Sequence, residues 1–292
     1  MSVKHPIVAV TGSSGAGTTT MREIFEGIFR REGVHAAIIE GDSFHRYERA
    51  ELHRLNNAQE AEGKPLISLF GPDANHFHEL EKLFRIYSET GTGKYRHYLH
   101  DEAEAAKYGQ ATGTFTPWED LPEPTDLLFY EGLHGAIKTP EADVARYPDL
   151  LIGIAPVINL EWIQKIHRDT RMRGYSRETV AAIILARMDD YVRYIVPQFE
   201  LTHINFQRVP LVDTSNPIIA RTIPSESESM IVIRFADPRG VDFPYLLAMI
   251  PHSFMSRANT IVIPGDRQDL AMQLILTPLV WQLMAKKENA SL

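Results

Sequence analysis

Residues 7–20 read IVAVTGSSGAGTTT, and the order of features in that stretch decides the class of fold. Ile7-Val8-Ala9-Val10 is a short apolar run of the kind a buried parallel strand presents. A glycine-rich turn follows from Gly12 to Gly17. Beyond it Met21, Ile24, Phe25, Ile28 and Phe29 recur at the spacing of one buried helix face, and Gly33 stands where such a helix stops. Strand, turn and helix in that order collect ligands at the carboxyl edge of a sheet, because backbone N–H groups and a helix N-terminus converge there. The glycines have the GxxxxG spacing of a nucleotide-binding loop. Thr18 stands where the usual motif carries lysine, and Thr19 takes the hydroxyl position that ligates Mg²⁺. Spacing alone is weak, since a bare GxxxxG arises about once by chance at this glycine content. The strand before it and the helix after it favour a phosphate cradle over a turn kept only for packing.

The same alternation continues outward. Ala36 to Ile39 reads as a second strand closing at Glu40-Gly41-Asp42, and Leu127 to Tyr130 as another closing at Glu131-Gly132. Leu150 to Val157 precedes Asn159-Leu160-Glu161-Trp162. Phe77, Leu80, Leu83, Phe84 and Tyr87 mark one amphipathic helix; Val180, Ile183, Ile184, Arg187 and Met188 mark another. This pattern predicts an α/β fold with a mostly parallel, mixed sheet flanked by helices. In the last third, Val209 to Val212, Met230 to Phe235 and Thr260 to Ile263 are β-type runs that extend the sheet or form an antiparallel flank, before a helix from about Asp266 to Lys287. Thr90 to Asp126 has weak periodicity and carries the basic run Lys94 to His100, so it reads as an extended, lid-like excursion. With no repeat and no linker, residues 1–292 are expected to form one domain with an insertion near 90–126.

Composition narrows the chemistry. The 292 residues are 44% hydrophobic and 23% charged, enough for a sizeable core and too apolar for a disordered chain. The absence of cysteine excludes disulfides, zinc-thiolate sites, Fe–S clusters and a cysteine nucleophile. A net charge of −8 argues against nucleic acid or an anionic membrane as partner, which makes any local basic cluster a candidate site. No apolar run approaches the ~20 residues of a membrane span, and the amino end lacks a signal-peptide core, so a soluble cytoplasmic protein is expected.

Several residues have the type and place that phosphoryl transfer needs. Glu131, after four apolar residues, occupies the strand-end position of an acid that serves Mg²⁺. Asp42 has the matching place after another strand, where a carboxylate can accept the proton of an attacking hydroxyl; an Asp before Ser-Phe is also a common helix N-cap. His45 and Arg49 share a face if their segment is helical and suit an anionic substrate. A lysine-free loop leaves the transferred phosphoryl group without its usual cation. The dense basic stretch from Lys165 to Gly174 can supply one, though such runs are also solvated helix faces. His76 with His78, and His97 with His100, lack the ligand spacing of a metal site. No Gly-x-Ser-x-Gly elbow surrounds Ser13 and Ser14, and the glycine order is not that of a dinucleotide fingerprint.

With these residues assembled, the chain resembles the bacterial phosphoribulokinases, P-loop kinases of the uridine-kinase-like group. The carriers are VTGSSGAGTTT from Val10, EGDSFHR from Glu40, LFYEGLHG from Leu128, VINLEWIQKIHRD from Val157, RGY from Arg173, INFQRVP from Ile204, VDTSNP from Val212 and SRAN from Ser256. The resemblance implies ATP-dependent phosphorylation of D-ribulose 5-phosphate at its 1-hydroxyl, in the reductive pentose phosphate cycle. It places the ATP phosphates on Gly12, Ser13, Ser14, Gly15, Ala16, Gly17, Thr18 and Thr19, with Mg²⁺ at Thr19 and Glu131. Asp42 becomes the general base; Lys165, Arg168 and Asp169 form a catalytic cluster, the two cations standing in for the loop lysine. His45, Arg49, His100 and Arg173 become contacts to the sugar phosphate. The resemblance further implies a homo-oligomer, up to an octamer, activated by NADH and inhibited by AMP through Arg31, Arg234 and Arg257, which otherwise read as surface ion pairs of small energy. GDSFHRY, GTFTPW and PEPTD are shared with similar proteins outside carbon-fixing organisms. A related kinase acting on a nucleoside, or a nucleotide-sensing protein without turnover, therefore stays open.

Overall fold

From the amino end, β1 (Ile7–Gly12) leads to α1 (Thr18–Glu32), β2 (Ala36–Glu40), α2 (Arg49–Ala61) and α3 (Phe77–Thr90). Next come β3 (Lys94–Tyr95), α4 (Glu102–Tyr108), β4 (Glu119–Asp120), β5 (Leu127–Gly132), β6 (Leu150–Ile154), α5 (Ile158–Arg173) and α6 (Arg177–Ala186). The chain then passes through α7 (Met188–Asp190), one π-helical turn (Tyr191–Ile195) and α8 (Gln198–Leu201) to β7 (Ile204–Pro210) and β8 (Ser229–Phe235). It finishes with α9 (Phe243–Met249), β9 (Phe254–Arg257), β10 (Thr260–Pro264) and α10 (Gln268–Ser291). This computed structural model describes residues 4–13 and 18–291, and only the backbone of Thr18, Thr19, Arg173 and Ser291. Ser14, Gly15, Ala16 and Gly17 of the expected phosphate loop lie outside the described residues, as do the side chains of Thr18, Thr19 and Arg173.

Eight of the strands form one sheet in the order β2-β5-β1-β6-β7-β8-β10-β9. β2 through β7 in that order run parallel, while β8, β10 and β9 pair antiparallel along one edge. Every residue of β1 and of β6 is buried, as parallel strands covered on both faces must be. On one face α1 and α10 pack Phe25, Phe129, Ile233 and Leu276 into a single core. On the other, α3 brings Leu80, Phe84 and Tyr87 against Leu128 and Tyr130. The carboxyl ends of β1, β2 and β5 therefore lie side by side between two helical layers, which is where an open α/β sheet binds ligands.

Four local expectations are corrected. The strand expected at Val209 to Val212 is β7, which starts earlier at Ile204; Asn205 and Gln207 interrupt its apolar pattern, and Leu211 and Val212 lie outside it, exposed. The helix expected to carry Arg187 and Met188 ends at Ala186, because Arg187 turns to φ −105° and ψ 0°. His45 and Arg49 do not share a helical face, since His45 is extended and Arg49 opens α2. Asp42 is not a helix N-cap: it lies within a 3₁₀ turn, Gly41–Phe44, preceded by Glu40. The antiparallel edge satisfies both alternatives left open for the last third, extending the sheet and flanking it. Between α3 and β5, the excursion folds back on itself through the β3–β4 ladder and a bridge from Tyr98 to Phe115.

Candidate active site

Two glycines bring the strand ends together. A Cβ on Gly41 would stand 2.5 Å from the Tyr130 hydroxyl and 2.9 Å from the Gly132 Cα, and one on Gly132 would stand 2.7 Å from the Gly41 Cα. Only backbone fits between the ends of β2 and β5. Glu40 is thereby paired in register with Glu131, two carboxylates at adjacent strand ends. Arg22 of α1 bridges Glu40 and Glu26, and burial does not prevent the guanidinium from being held firmly charged by these two acids. Gly12, Glu40, Asp42 and Glu131 line one cavity of about 640 Å³. Ser13 is fully buried beside it. Its Oγ has no partner of acceptable hydrogen-bond geometry, although Glu161 and Tyr191 lie next to it.

Asp42 points into the cavity with its side chain 39% exposed, while protein surrounds the rest of it. His45 Nε2 lies 3.1 Å from its Oδ1, and His100 Nε2 3.7 Å from its Oδ2. Enclosure favours the neutral acid, but the adjacent His45, with His100 and His134, outweighs it and holds the Asp42 carboxyl at about 2. The reciprocal effect raises His45: burial opposes its charge, yet Asp42 and a hydrogen bond to Asn75 overcome that, against a smaller repulsion from Arg96. His134 is pushed down to about 3, chiefly by burial, with its Nε2 3.0 Å from the Phe70 carbonyl oxygen.

Helix α5 supplies the cations. Lys165 and Asp169 lie four apart on one face, and Lys165 Nζ donates to Asp169 Oδ2 at 2.7 Å. Arg168 Nε donates to Asp169 Oδ1 at 3.0 Å, so one carboxylate, itself 5% exposed, aligns both cations. Burial lowers Lys165 despite that partner, while the two cations keep Asp169 ionised against its own burial. Lys165 and Arg168 line the same cavity as Asp42 and His45, which brings two motifs far apart in sequence into one site. The excursion closes another side. Arg96 donates to the carbonyl oxygens of Ser43 and His45 at 2.8 and 2.6 Å and lies over the rings of Phe115 and Trp118. Arg49 donates to the His100 carbonyl oxygen at 3.0 Å but does not itself line the cavity.

Sequence reasoning missed the residues that support this site. Glu161 is buried and receives the Tyr191 hydroxyl at 3.0 Å, and burial raises its carboxyl above the ordinary range. Tyr191 reaches it from the π-helical turn, a local widening often found at functional positions. Gln198, 2% exposed, accepts from Thr11 Oγ1 and the Ala136 amide and donates to the carbonyls of Leu133 and Tyr194, tying β1 to the segment after β5. Glu161 stands in a motif that was read, yet its neighbour Tyr191 gave no local signal. The arginines expected to answer effectors divide into two places. Arg234 and Arg257 line one shallow cavity of about 400 Å³, whereas Arg31 lies on α1 and donates to Thr277 of α10 at 2.9 Å.

The sequence matches the family described as Phosphoribulokinase / Uridine kinase family over residues 7–215. It is 62% identical over 291 residues to the chromosomal phosphoribulokinase of Cupriavidus necator, covering 100% of both chains, and 62% identical over 287 residues to the phosphoribulokinase of Nitrobacter vulgaris, covering 98% and 99%. A solved phosphoribulokinase from Rhodobacter spheroides superposes with a TM-score of 0.91 at 55% identity, over 98% of this chain and 100% of that one.

Proposed function

Because the chain belongs to the phosphoribulokinase / uridine kinase family, we propose that it transfers the γ-phosphoryl group of ATP to the 1-hydroxyl of D-ribulose 5-phosphate, giving ribulose 1,5-bisphosphate and ADP. The reading makes it a phosphotransferase of the reductive pentose phosphate cycle. One observation carries it beyond family membership: an ionised carboxylate, Asp42, faces the same cavity as the paired cations Lys165 and Arg168. Phosphoryl transfer requires those two features, a proton acceptor for the nucleophile and positive charge for the moving group.

In this reading the γ-phosphoryl group lies at the N-terminus of α1, and Asp42 Oδ2 takes the proton of the 1-hydroxyl as its oxygen attacks phosphorus. Lys165 and Arg168, aligned by Asp169, stabilise the equatorial oxygens in place of the lysine that Thr18 replaces. His100, Arg49 and Arg173 hold the sugar phosphate. The donor set also suits Mg²⁺. Glu131 brings a hard carboxylate oxygen to the cavity, and Mg²⁺ characteristically takes one or two such protein ligands together with phosphates and water. Glu131 and Thr19 would hold it, and it would supply charge neutralisation on the nucleotide phosphates. We read the chain as a single kinase domain with its insertion near 90–126, assembling into oligomers in the cytoplasm. Among the described residues no helix is long and apolar enough to cross a membrane. NADH and AMP are proposed as effectors, supported by the cavity that Arg234 and Arg257 share.

Steady-state ADP release with MgATP tests the reaction, comparing ribulose 5-phosphate with uridine and ribose 5-phosphate, with and without NADH. Turnover selective for ribulose 5-phosphate is expected. Turnover with uridine instead would move the acceptor to a nucleoside, and tight ATP binding without turnover on any acceptor would make the protein a nucleotide sensor.

A further inference from the structure

Asn75 is 1% exposed and follows a 3₁₀ turn, Pro72–Ala74, thirty residues beyond His45. Its Nδ2 donates to the Leu69 carbonyl oxygen at 2.9 Å and to the Gly71 carbonyl oxygen at 2.7 Å. Its Oδ1 lies 2.7 Å from His45 Nδ1. Exchanging the amide oxygen and nitrogen would set an acceptor against two carbonyl oxygens, so this orientation is the one that satisfies every group. Oδ1 can only accept, and Nδ1 must therefore carry a proton. On the far side of the ring, Nε2 faces Asp42 Oδ1 at 3.1 Å, and an ionised carboxylate can only accept as well. Either neutral tautomer leaves one lone pair pointing at another. The doubly protonated ring alone satisfies both neighbours.

We propose that Asn75 is a positioning residue which, acting through His45, keeps that ring protonated on both nitrogens and turned toward Asp42. Asp42 Oδ1 is thereby engaged by His45, and Oδ2 is the oxygen presented on the His100 side, where the acceptor hydroxyl gives up its proton. The charged and titratable groups facing this pair are His100 and His134 toward Asp42, and Arg96 toward His45. Arg96 and the buried, neutral His134 do not supply the missing acceptor, since Arg96 donates to main-chain oxygens and His134 Nε2 faces the Phe70 carbonyl. The Asn75 side chain is not needed to hold the two segments together. Arg46 N donates to the Ala74 carbonyl oxygen and His76 N to that of Phe44, both at 2.8 Å, so the main chain clamps them independently.

This inference rests on Asp42 being the base of the proposed reaction, and its first readout is independent of turnover. In ¹⁵N-histidine-labelled protein at pH 7.5, the His45 ring nitrogens are expected at the shifts of a doubly protonated ring. Asn75→Leu, which removes both ends of the amide, is expected to lower the His45 titration midpoint by at least one pH unit. Asn75→Asp keeps an acceptor on Nδ1 while removing both donors to Leu69 and Gly71, and is expected to keep the ring charged. Loss of the charge in both variants would reduce Asn75 to a pin for the 69–71 turn and overturn the proposal. A neutral His45 ring in the unaltered protein would overturn it directly. In kinetics, Asn75→Leu should lower kcat about tenfold with KM for ATP unchanged, and move the acid limb of the kcat profile to higher pH. The same substitution in a His45→Asn background should have less than a twofold further effect, because the two residues act as one unit. Equal losses in both backgrounds would overturn the coupling. A charged His45 ring in protein that never turns over ribulose 5-phosphate supports the positioning role and removes the reaction assigned above.

Discussion

Asp42 meets two opposing demands. It must be ionised to accept a proton, and the His45 contact that keeps it so also makes it a weak base. The balance suits phosphoryl transfer, where the hydroxyl loses its proton as the bond to phosphorus forms, so a strong base is not required beforehand. Asp42→Asn keeps the shape and removes the acceptor. Its kcat is expected to fall about 10²- to 10⁴-fold with ATP affinity, followed by calorimetry, left close to normal. Near-normal turnover in this variant would take the base role from Asp42. Arg49 belongs to a different step. Its guanidinium donates to the His100 carbonyl oxygen and lies over the Tyr98 ring, and its remaining N–H groups suit a phosphate. Arg49→Ala is expected to raise KM for the sugar phosphate roughly tenfold or more, with kcat changed less. A loss confined to kcat would place Arg49 at the reacting centre instead.

At the level of elements, Arg96 fastens the excursion between α3 and β5 to the catalytic turn, alongside ring contacts of Trp118 with Phe44 and of Tyr98 with His45. The guanidinium centre lies 3.7 Å from the Phe115 ring centroid and 4.8 Å from that of Trp118, while its N–H groups engage the main chain of Ser43 and His45. Burial lowers its proton affinity to about 10, still far above neutral, so the clamp stays charged under ordinary conditions. Arg96→Ala removes stacking and two charge-assisted hydrogen bonds, together on the order of 2–4 kcal/mol locally. The expected result is faster proteolysis within residues 91–126 and a higher KM for the sugar phosphate, with thermal stability of the main sheet nearly unchanged. Unaltered proteolysis would show that other contacts hold the excursion. The extent of this element was legible in its glycine, proline and threonine content. Its folded form was not, because the β3–β4 ladder and the Arg96 clamp join positions whose pairing no local period records.

For the whole molecule, the sheet divides the labour: its parallel part carries the candidate chemistry, and its antiparallel edge helps build the core under α1 and α10. Ionisable groups at the site link that chemistry to stability. Asp42 and Asp169 titrate lower in the folded chain than the ordinary carboxylate value of 3.8, so their contribution is present above that value and is lost as pH falls through their folded values. His45 titrates above 6.5 in the folded chain; its contribution is complete below 6.5 and is lost as pH rises through its raised value. His134, pushed down to about 3 by burial, acts the other way: below 6.5 the unfolded chain takes up a proton that the folded chain refuses, and stability falls as pH drops toward 3. Thermal scans are therefore expected to show a stability maximum near pH 6.5, falling on both sides. The decline above pH 6.5 should be smaller in His45→Asn. An identical alkaline decline in that variant would assign it to other groups.

Read alone, the sequence established the parallel strands and placed Asp42 and Glu131 at strand ends, because buried apolar runs and turn residues record a one-dimensional pattern of burial. Lys165, Arg168 and Asp169 are grouped through the family resemblance, and the structure sets them on one helix, α5, where a spacing of four puts Lys165 and Asp169 on a common face. Tertiary structure decided that His45 serves Asp42 instead of sharing a helical face with Arg49, since the backbone at His45 is extended. It alone revealed Asn75 behind His45, Tyr191 behind Glu161 and Gln198 beneath Thr11. Those partners lie 30, 30 and 187 residues apart. A local period fixes which face of an element is buried; which polar group meets which across a packed core depends on how the elements dock, and that is settled only when each buried donor and acceptor must find its partner.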